Sequence, residues 1–533
     1  MGGVSKLQEE ARTLYGDGRL AEAAERLREA LRLDPDDPES RHLLGVTMAR
    51  LGDLEAGGRL IEAAIALAPA ESSYHVNLGN VRQASGDLEG GAACFRRAVD
   101  LSPDNALARF NLARLLDDLG DAEGAAAEYR RAAETAPSFA DAHNNLATVL
   151  ETLGRGEEAI DSYRRAVELE PDSALFADNL GKALQKAGRQ AEAEAWHRTA
   201  IALVPGNASS HRYLGDALLD LKRPDEAEEC YRMALALDPR LPDVHNNMGH
   251  IQEQRHRYGE AEASYRACIE LDPRHKAALT NLGQLQFRLG RMEEARQTFR
   301  RLLASHPDSP VARHMVAATT GEGVEDRAAD DYVRHIFDGF AGVFDEKLAA
   351  LDYRAPTLIA ELVGDRLGEP RGALAVADLG CGTGLCGSFL RPHARTLTGV
   401  DLSPRMLDKA RERNLYDDLL ARELTSFLDE EPARFDMLVA ADTLVYFGAL
   451  GPVLDAAARS LKKGGRFVFT LEEWAEEEAE GFLLTPSGRY AHPIDDVVRL
   501  LAGAGFADRR IAQIHLRVER GVPVAGLLVD AGL

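Results

Sequence analysis

The sequence predicts an all-α repeat solenoid followed by an α/β domain built on a seven-stranded, mostly parallel sheet. Two observations carry this reading. Prolines recur every 34 residues, at Pro35, Pro69, Pro103, Pro137, Pro171, Pro205, Pro239, Pro273 and Pro307. Past residue 331 comes VADLGCGTGLCGSFLRPHARTLTGVD, running from Val376 to Asp401. The first pattern marks stacked helical pairs. The second is a strand, a glycine-rich turn opening a helix, and a strand that closes on a carboxylate.

Bulk properties narrow the classes. At 533 residues the chain exceeds what one core supports, so two or more domains are expected. A net charge of −24 speaks against nucleic acid as a general partner, because phosphate binding needs basic patches. Five cysteines (Cys94, Cys230, Cys268, Cys381 and Cys386) show no metal-like spacing, which fits a reducing cytoplasm and no metal site. No run of 18 apolar residues occurs, and MGGVSKLQEEARTLYGDG has no apolar core of secretory type, so a cytoplasmic protein is expected.

The 34-residue period typically carries Leu-Gly or Leu-Ala, then an Ala, a bulky residue and another Ala before the proline. The seventh copy reads Leu214, Gly215, Ala227, Tyr231, Ala234, Pro239. Small residues let two helices cross closely, the aromatic fills the gap between neighbouring repeats, and the proline ends the second helix. This pattern, in nine copies over residues 2–307, resembles the tetratricopeptide repeat. The first copy has Glu10 where leucine is expected, as a capping repeat would. The resemblance implies a solenoid whose groove binds a protein or peptide.

Asn77, Asn111, Asn145, Asn179, Asn247 and Asn281 fall at one repeat position, just before the leucine or methionine of each first helix. Aligned in a solenoid, their amides would offer donors and acceptors to the backbone of an extended polypeptide. The line resembles the asparagine ladder of O-linked N-acetylglucosamine transferases. The competing reading is that the amides tie one repeat to the next.

Residues 308–331 lose the period and read as a capping helix and linker, with the second domain at 332–533. In that domain the glycines of DLGCGTG let the backbone turn sharply and admit a ligand without a Cβ in the way. Asp401, 21 residues beyond Gly380, suits ribose hydroxyls. Asp378 at the loop entrance would repel a pyrophosphate but suits the ammonium and sulfonium of S-adenosylmethionine (SAM). With GVDLSPRMLDKAR downstream, the stretch resembles class I SAM-dependent methyltransferases, a Rossmann-like fold.

That resemblance implies cofactor contacts from Asp378, Gly380, Cys381, Gly382, Thr383, Gly384, Asp401, Leu402, Met406, Glu423, Leu424 and Ala441. Glu423 stands where the family has an Asp for the adenine amino group. Tyr332, Phe340 and Phe344 are lid candidates, resembling FDxFAxxFD segments that fold over the cofactor. After the fourth strand (435–441) come Asp442 and Tyr446. The loop after the fifth strand carries Arg489, Tyr490 and His492, able to bind an acidic group or take a proton. Asp442, Tyr446 and His492 are the candidate bases, and Arg489 and Tyr490 the candidate substrate contacts. IAQIHLRVER and GVPVAGLLVDA read as an antiparallel hairpin around Gly521. Three functions compete: methyl transfer to a protein held by the repeats, methyl transfer to a small molecule, and a SAM-binding scaffold without catalysis.

Overall fold

The computed structural model describes residues 2–342, 344–476, 479–519 and 521–533. Two compact units emerge, Met1–Val244 and His245–Leu533. Among the described residues, eighteen paired helices run from α1 (Gly2–Gly16) to α18 (Met292–Ser305). Glycine ends the turn inside most pairs because φ there is left-handed, between +73° and +96° from Gly18 to Gly188 and at Gly290. In the seventh and eighth copies Lys222 and His256 take that conformation instead, at +61° and +59°.

The small residues serve close contact. In α13 (Ala208–Asp220) and α14 (Pro224–Leu237), a Cβ on Gly215 would stand 2.5 Å from the Tyr231 ring. Gly249 stands likewise under Tyr265 and Gly283 under Phe299. The aromatic therefore seats on the glycine of its own copy, not only between copies as the sequence suggested.

Helix α19 (Pro310–Thr320) follows the array, then α20 (Asp330–Phe340), α21 (Phe344–Ala350) and α22 (Ala355–Leu367). Residues 308–331, expected as a cap and linker, are packed. Val311, Ala312 and Met315 share one core with Tyr265 and Phe299 of the last repeats and with Tyr332, Leu484 and Tyr490.

The sheet contains β1 (Leu374–Leu379), β2 (Ala394–Asp401), β3 (Asp418–Ala421), β4 (Phe435–Ala440) and β5 (Leu461–Glu473), all parallel in the order β3-β2-β1-β4-β5. A two-strand ribbon, β6 (Leu483–Leu484) and β7 (Tyr490–His492), adds to the end of β5. The expected hairpin is present: β8 (Asp508–Glu519) pairs antiparallel with β9 (Val522–Gly532), which pairs with β5. The seven long strands match the sequence reading, and the ribbon brings the total to nine. Chain order reverses between β1 and β4, so a crevice opens at the carboxyl ends of the central strands.

Candidate active site

That crevice is a cavity, and the loop after β1 forms one wall. Gly380, Cys381, Gly382 and Thr383 line it. Gly380 sits at φ +68°, and a Cβ there would lie 2.3 Å from Thr443, whose hydroxyl donates to the Leu379 carbonyl. Gly382, at +55°, faces open space, with only Phe344 within 3.7 Å of a built Cβ.

Asp401 ends β2 facing the cavity. Its carboxylate accepts from the Gly382 N–H at 2.9 Å and the Ser403 N–H at 2.8 Å. Burial pushes its pKa up, while those two N–H groups work the other way. Leu402 and Leu424 add apolar wall, and Glu423 and Ala441 also line the space. Glu423 caps the helix Leu424–Asp429 by accepting from Thr425 and Ser426, and pairs with Arg327 at 3.3 Å. Burial raises the Glu423 pKa, but the N–H groups and Arg327 outweigh it and hold the carboxyl low.

The far wall is charged. Asp442 follows β4 at φ +54°, uncommon for a residue with a Cβ, and its N–H donates to Thr470 Oγ1 at 2.8 Å. Its carboxylate meets Arg517 at 3.0 Å, and Arg517 itself is 1% exposed. Arg517 also pairs with Glu472 and, at 2.6 Å, with Glu519. Arg489 reaches the same group, pairing with Glu519 and lying 3.7 Å from Glu472. Burial favours a neutral Glu519, yet Arg489 and Arg517 overcome it and pull the carboxyl down to about 2. Tyr446 lines the cavity beside Arg489, and burial pushes its hydroxyl pKa up.

Helices α20 and α21 cover the opening. Phe337 meets Phe344 edge-on at 5.9 Å and Tyr446 at 5.6 Å. Asp345 clasps the glycine loop, accepting from Thr383 Oγ1 and from Arg413, both at 2.6 Å. Asp338 accepts from Ser403 Oγ at 2.5 Å. The lid reading thus fits Phe344. Tyr332 instead is buried against His314 at 3.9 Å, off the cavity, and the side chain of Phe340 lies outside the described residues.

Five residues expected at the site lie off the cavity. Asp378 is 1% exposed beneath the loop, where one oxygen accepts from Tyr416 Oη at 2.6 Å. Burial pushes its pKa up to about 7 against that hydrogen bond, with Asp401 adding to the rise. It supports the loop and does not meet the ligand space. Gly384 leaves room for Tyr416, which a Cβ would approach to 3.0 Å. Met406, in the helix Pro404–Glu412, is fully buried. His492 is 1% exposed and its Nε2–H donates to the Phe447 carbonyl at 2.9 Å. Burial pulls the imidazole pKa down to about 4, and the ring does not line the cavity. Tyr490 is fully buried and donates to the Glu325 carbonyl at 2.9 Å.

Sequence reasoning missed Arg327, Leu348, Tyr353 and Arg517, whose positions are set by chain crossings, while Phe337 was marked only by its helical spacing to the lid candidates Phe340 and Phe344.

The asparagines divide. Within the first unit, Asn77 bonds His42 Nε2 at 2.8 Å and Asn179 donates to Asn144 at 2.9 Å. In the second, Asn281 donates to Asn246 at 3.1 Å. Each of these amides reaches the preceding copy. Asn145 accepts from Asn144 and lies 3.5 Å from Tyr129 Oη, Asn111 is 8% exposed, and Asn247 is half-buried.

Family models match both parts of the chain. The family described as "Methyltransferase domain" matches residues 377–467. "Tetratricopeptide repeat" matches 76–138, 113–174, 179–242 and 246–310, and "TPR repeat" matches 11–52. Methyltransferase-like protein 27 of Homo sapiens is 40% identical over 86 residues, 16% of this chain and 35% of that one. Ubiquinone biosynthesis O-methyltransferase of Xylella fastidiosa is 33% identical over 107 residues, 19% of this chain and 44% of that one. The chain thus spans less than half the length of these relatives. A solved structure of pilF from Pseudomonas aeruginosa is 25% identical, covering 40% of this chain and 96% of that one, with a TM-score of 0.36.

Proposed function

We propose that this chain, which joins tetratricopeptide repeats to a methyltransferase domain, transfers a methyl group from SAM to a protein or peptide that the repeats recruit. The observation that carries the reading is the cavity at the ends of β1, β2 and β4, lined by Gly382, Asp401 and Asp442.

The residues present fit the cofactor. Asp401 keeps acceptor capacity beyond its two N–H bonds, as an ionised carboxylate does, and ribose hydroxyls would use it. Gly382 faces open space that a side chain would fill. Glu423 and Leu424 would border the adenine. When bound, SAM supplies an activated methyl group. The chain's own part is alignment and water exclusion, which the Phe337–Phe344 cover supports. Asp442, held by Arg517 at the cavity wall, is positioned to accept a proton from the acceptor. Tyr446, with its pKa raised, serves as a hydrogen-bond donor.

Labelled methyl transfer from SAM into cell lysate tests this. Label is expected in protein, and is lost with Asp401→Ala. No label in any fraction, from protein that binds SAM, rejects catalysis. Replacing Asn111, Asn145 and Asn179 by Ala together is expected to raise half-saturating acceptor about 30-fold or more if the hydrogen bonds add, with SAM affinity unchanged. If instead only the melting temperature falls, the amides are ties between repeats.

A small-molecule acceptor is the second reading. It is favoured by the aromatic cover and by the three asparagines already bonded to the preceding copy. Label in small molecules would select it.

A further inference from the structure

We propose that the helix capping the repeats sets the acceptor end of the cavity: His314 on α19 is a positioning residue for Arg489. This rests on the reading that the acceptor meets Arg489.

His314 Nε2 lies 2.8 Å from the Gly488 carbonyl. A carbonyl can only accept, so Nε2 carries the proton and donates. The imidazole lies against Tyr332 at 3.9 Å and meets Tyr490 edge-on at 6.2 Å. Gly488 sits at φ +79°, and a Cβ there would come within 2.7 Å of Tyr332 Oη. The turn therefore rests backbone-first on these rings.

The turn is also stiff. Thr485 N–H donates to the Arg489 carbonyl at 2.8 Å, and Gly488 N–H to the Thr485 carbonyl at 2.9 Å. Where Gly488 is held, the next residue follows, and Arg489 reaches the cavity wall beside Tyr446. The segment between α19 and α20 holds Tyr446 from behind, since Ala328 N–H donates to the Tyr446 carbonyl at 2.8 Å. An apolar residue at 314 would fill the space but leave the Gly488 carbonyl without its buried donor.

The experiment uses the full chain with His314→Leu, His314→Gln and Gly488→Ala. Three quantities are read: half-saturating lysate in labelled methyl transfer, SAM affinity by calorimetry, and hydrogen exchange of amides 485–492 against 380–384. His314→Leu is expected to raise half-saturating lysate about tenfold, the worth of one buried hydrogen bond, and Gly488→Ala, whose Cβ would press on Tyr332, to raise it several-fold as well. SAM affinity and maximal rate stay within about twofold, and exchange quickens only at 485–492. His314→Gln, which keeps an N–H donor, restores most of the loss.

Wild-type saturation in His314→Leu, or a Gln variant as impaired as Leu, overturns the proposal. Should Leu prevent folding, wild-type saturation in Gly488→Ala does so. If wild-type protein labels nothing, the methyl-transfer reading falls. Unchanged exchange at 485–492 in His314→Leu then still overturns the positioning role.

Discussion

Asp401 ties the glycine loop to the start of the next helix, through the Gly382 and Ser403 N–H groups, while facing the cavity. Asp401→Ala should weaken SAM binding about tenfold or more by calorimetry in folded protein, since charge-assisted bonds contribute about 1.5–3 kcal/mol each. Gly382→Asp should do the same by filling the ligand space with a like-charged neighbour. NAD binding in place of SAM, or unaltered affinity in both variants, would reject the cofactor reading. Asp378 yields a different prediction. Its native pKa of about 7 lies above the unfolded value, so the native state binds more protons between about pH 4 and 7. Stability from this group is present at low pH and lost as pH rises through that window. Asp378→Asn should therefore gain on wild type as pH goes from 5 to 8, by an amount on the order of 2–4 kcal/mol. Parallel melting curves at the two pH values would count against the burial of this carboxylate.

The repeat turn shows an element working against its own sequence in two copies. Lys222 and His256 hold the left-handed conformation that glycine takes in the other seven, with no bridging glycine to relieve it. Lys222→Gly and His256→Gly should each stabilise the array by about 1 kcal/mol, raising its melting midpoint. A lowered midpoint would mean these side chains make contacts worth more than the strain. That small residues and an aromatic recur at fixed offsets was legible, because a 3.6-residue period leaves few choices of face, but that Tyr231 seats on Gly215 of its own copy was not. The use of the asparagines was not. Asn179 finds Asn144, and Asn77 finds His42, because the residue just before the equivalent position in the preceding copy happens to accept. Where that place holds Val76, no such partner exists for Asn111.

Across the whole molecule, the seam at 308–331 changes where the chain divides. Its apolar residues join Tyr265 and Phe299 to Tyr332 and Tyr490 in one core. A fragment of residues 325–533 would expose that surface and is expected to be insoluble or to bind SAM weakly. A fragment of residues 245–533, matching the compact unit, should fold and bind SAM as the full chain does. Expression and calorimetry of the two fragments decide this; near-native binding by the shorter one would restore the linker reading.

Periodicity and glycine spacing determined the repeat array, the parallel sheet, the loop and Asp401, because each follows from short-range geometry that any neighbour must accommodate. Tertiary structure decided which polar groups reach the cavity. Asp378, Met406, Tyr490 and His492 stand at plausible offsets, yet burial removes each from the ligand space, with a hydrogen-bond partner besides for Asp378, Tyr490 and His492. Arg517 lies 75 residues from Asp442 and no local pattern links them. Their pairing depends on β8 entering the sheet beyond β5 by way of β9, a choice made by the packing of the whole domain.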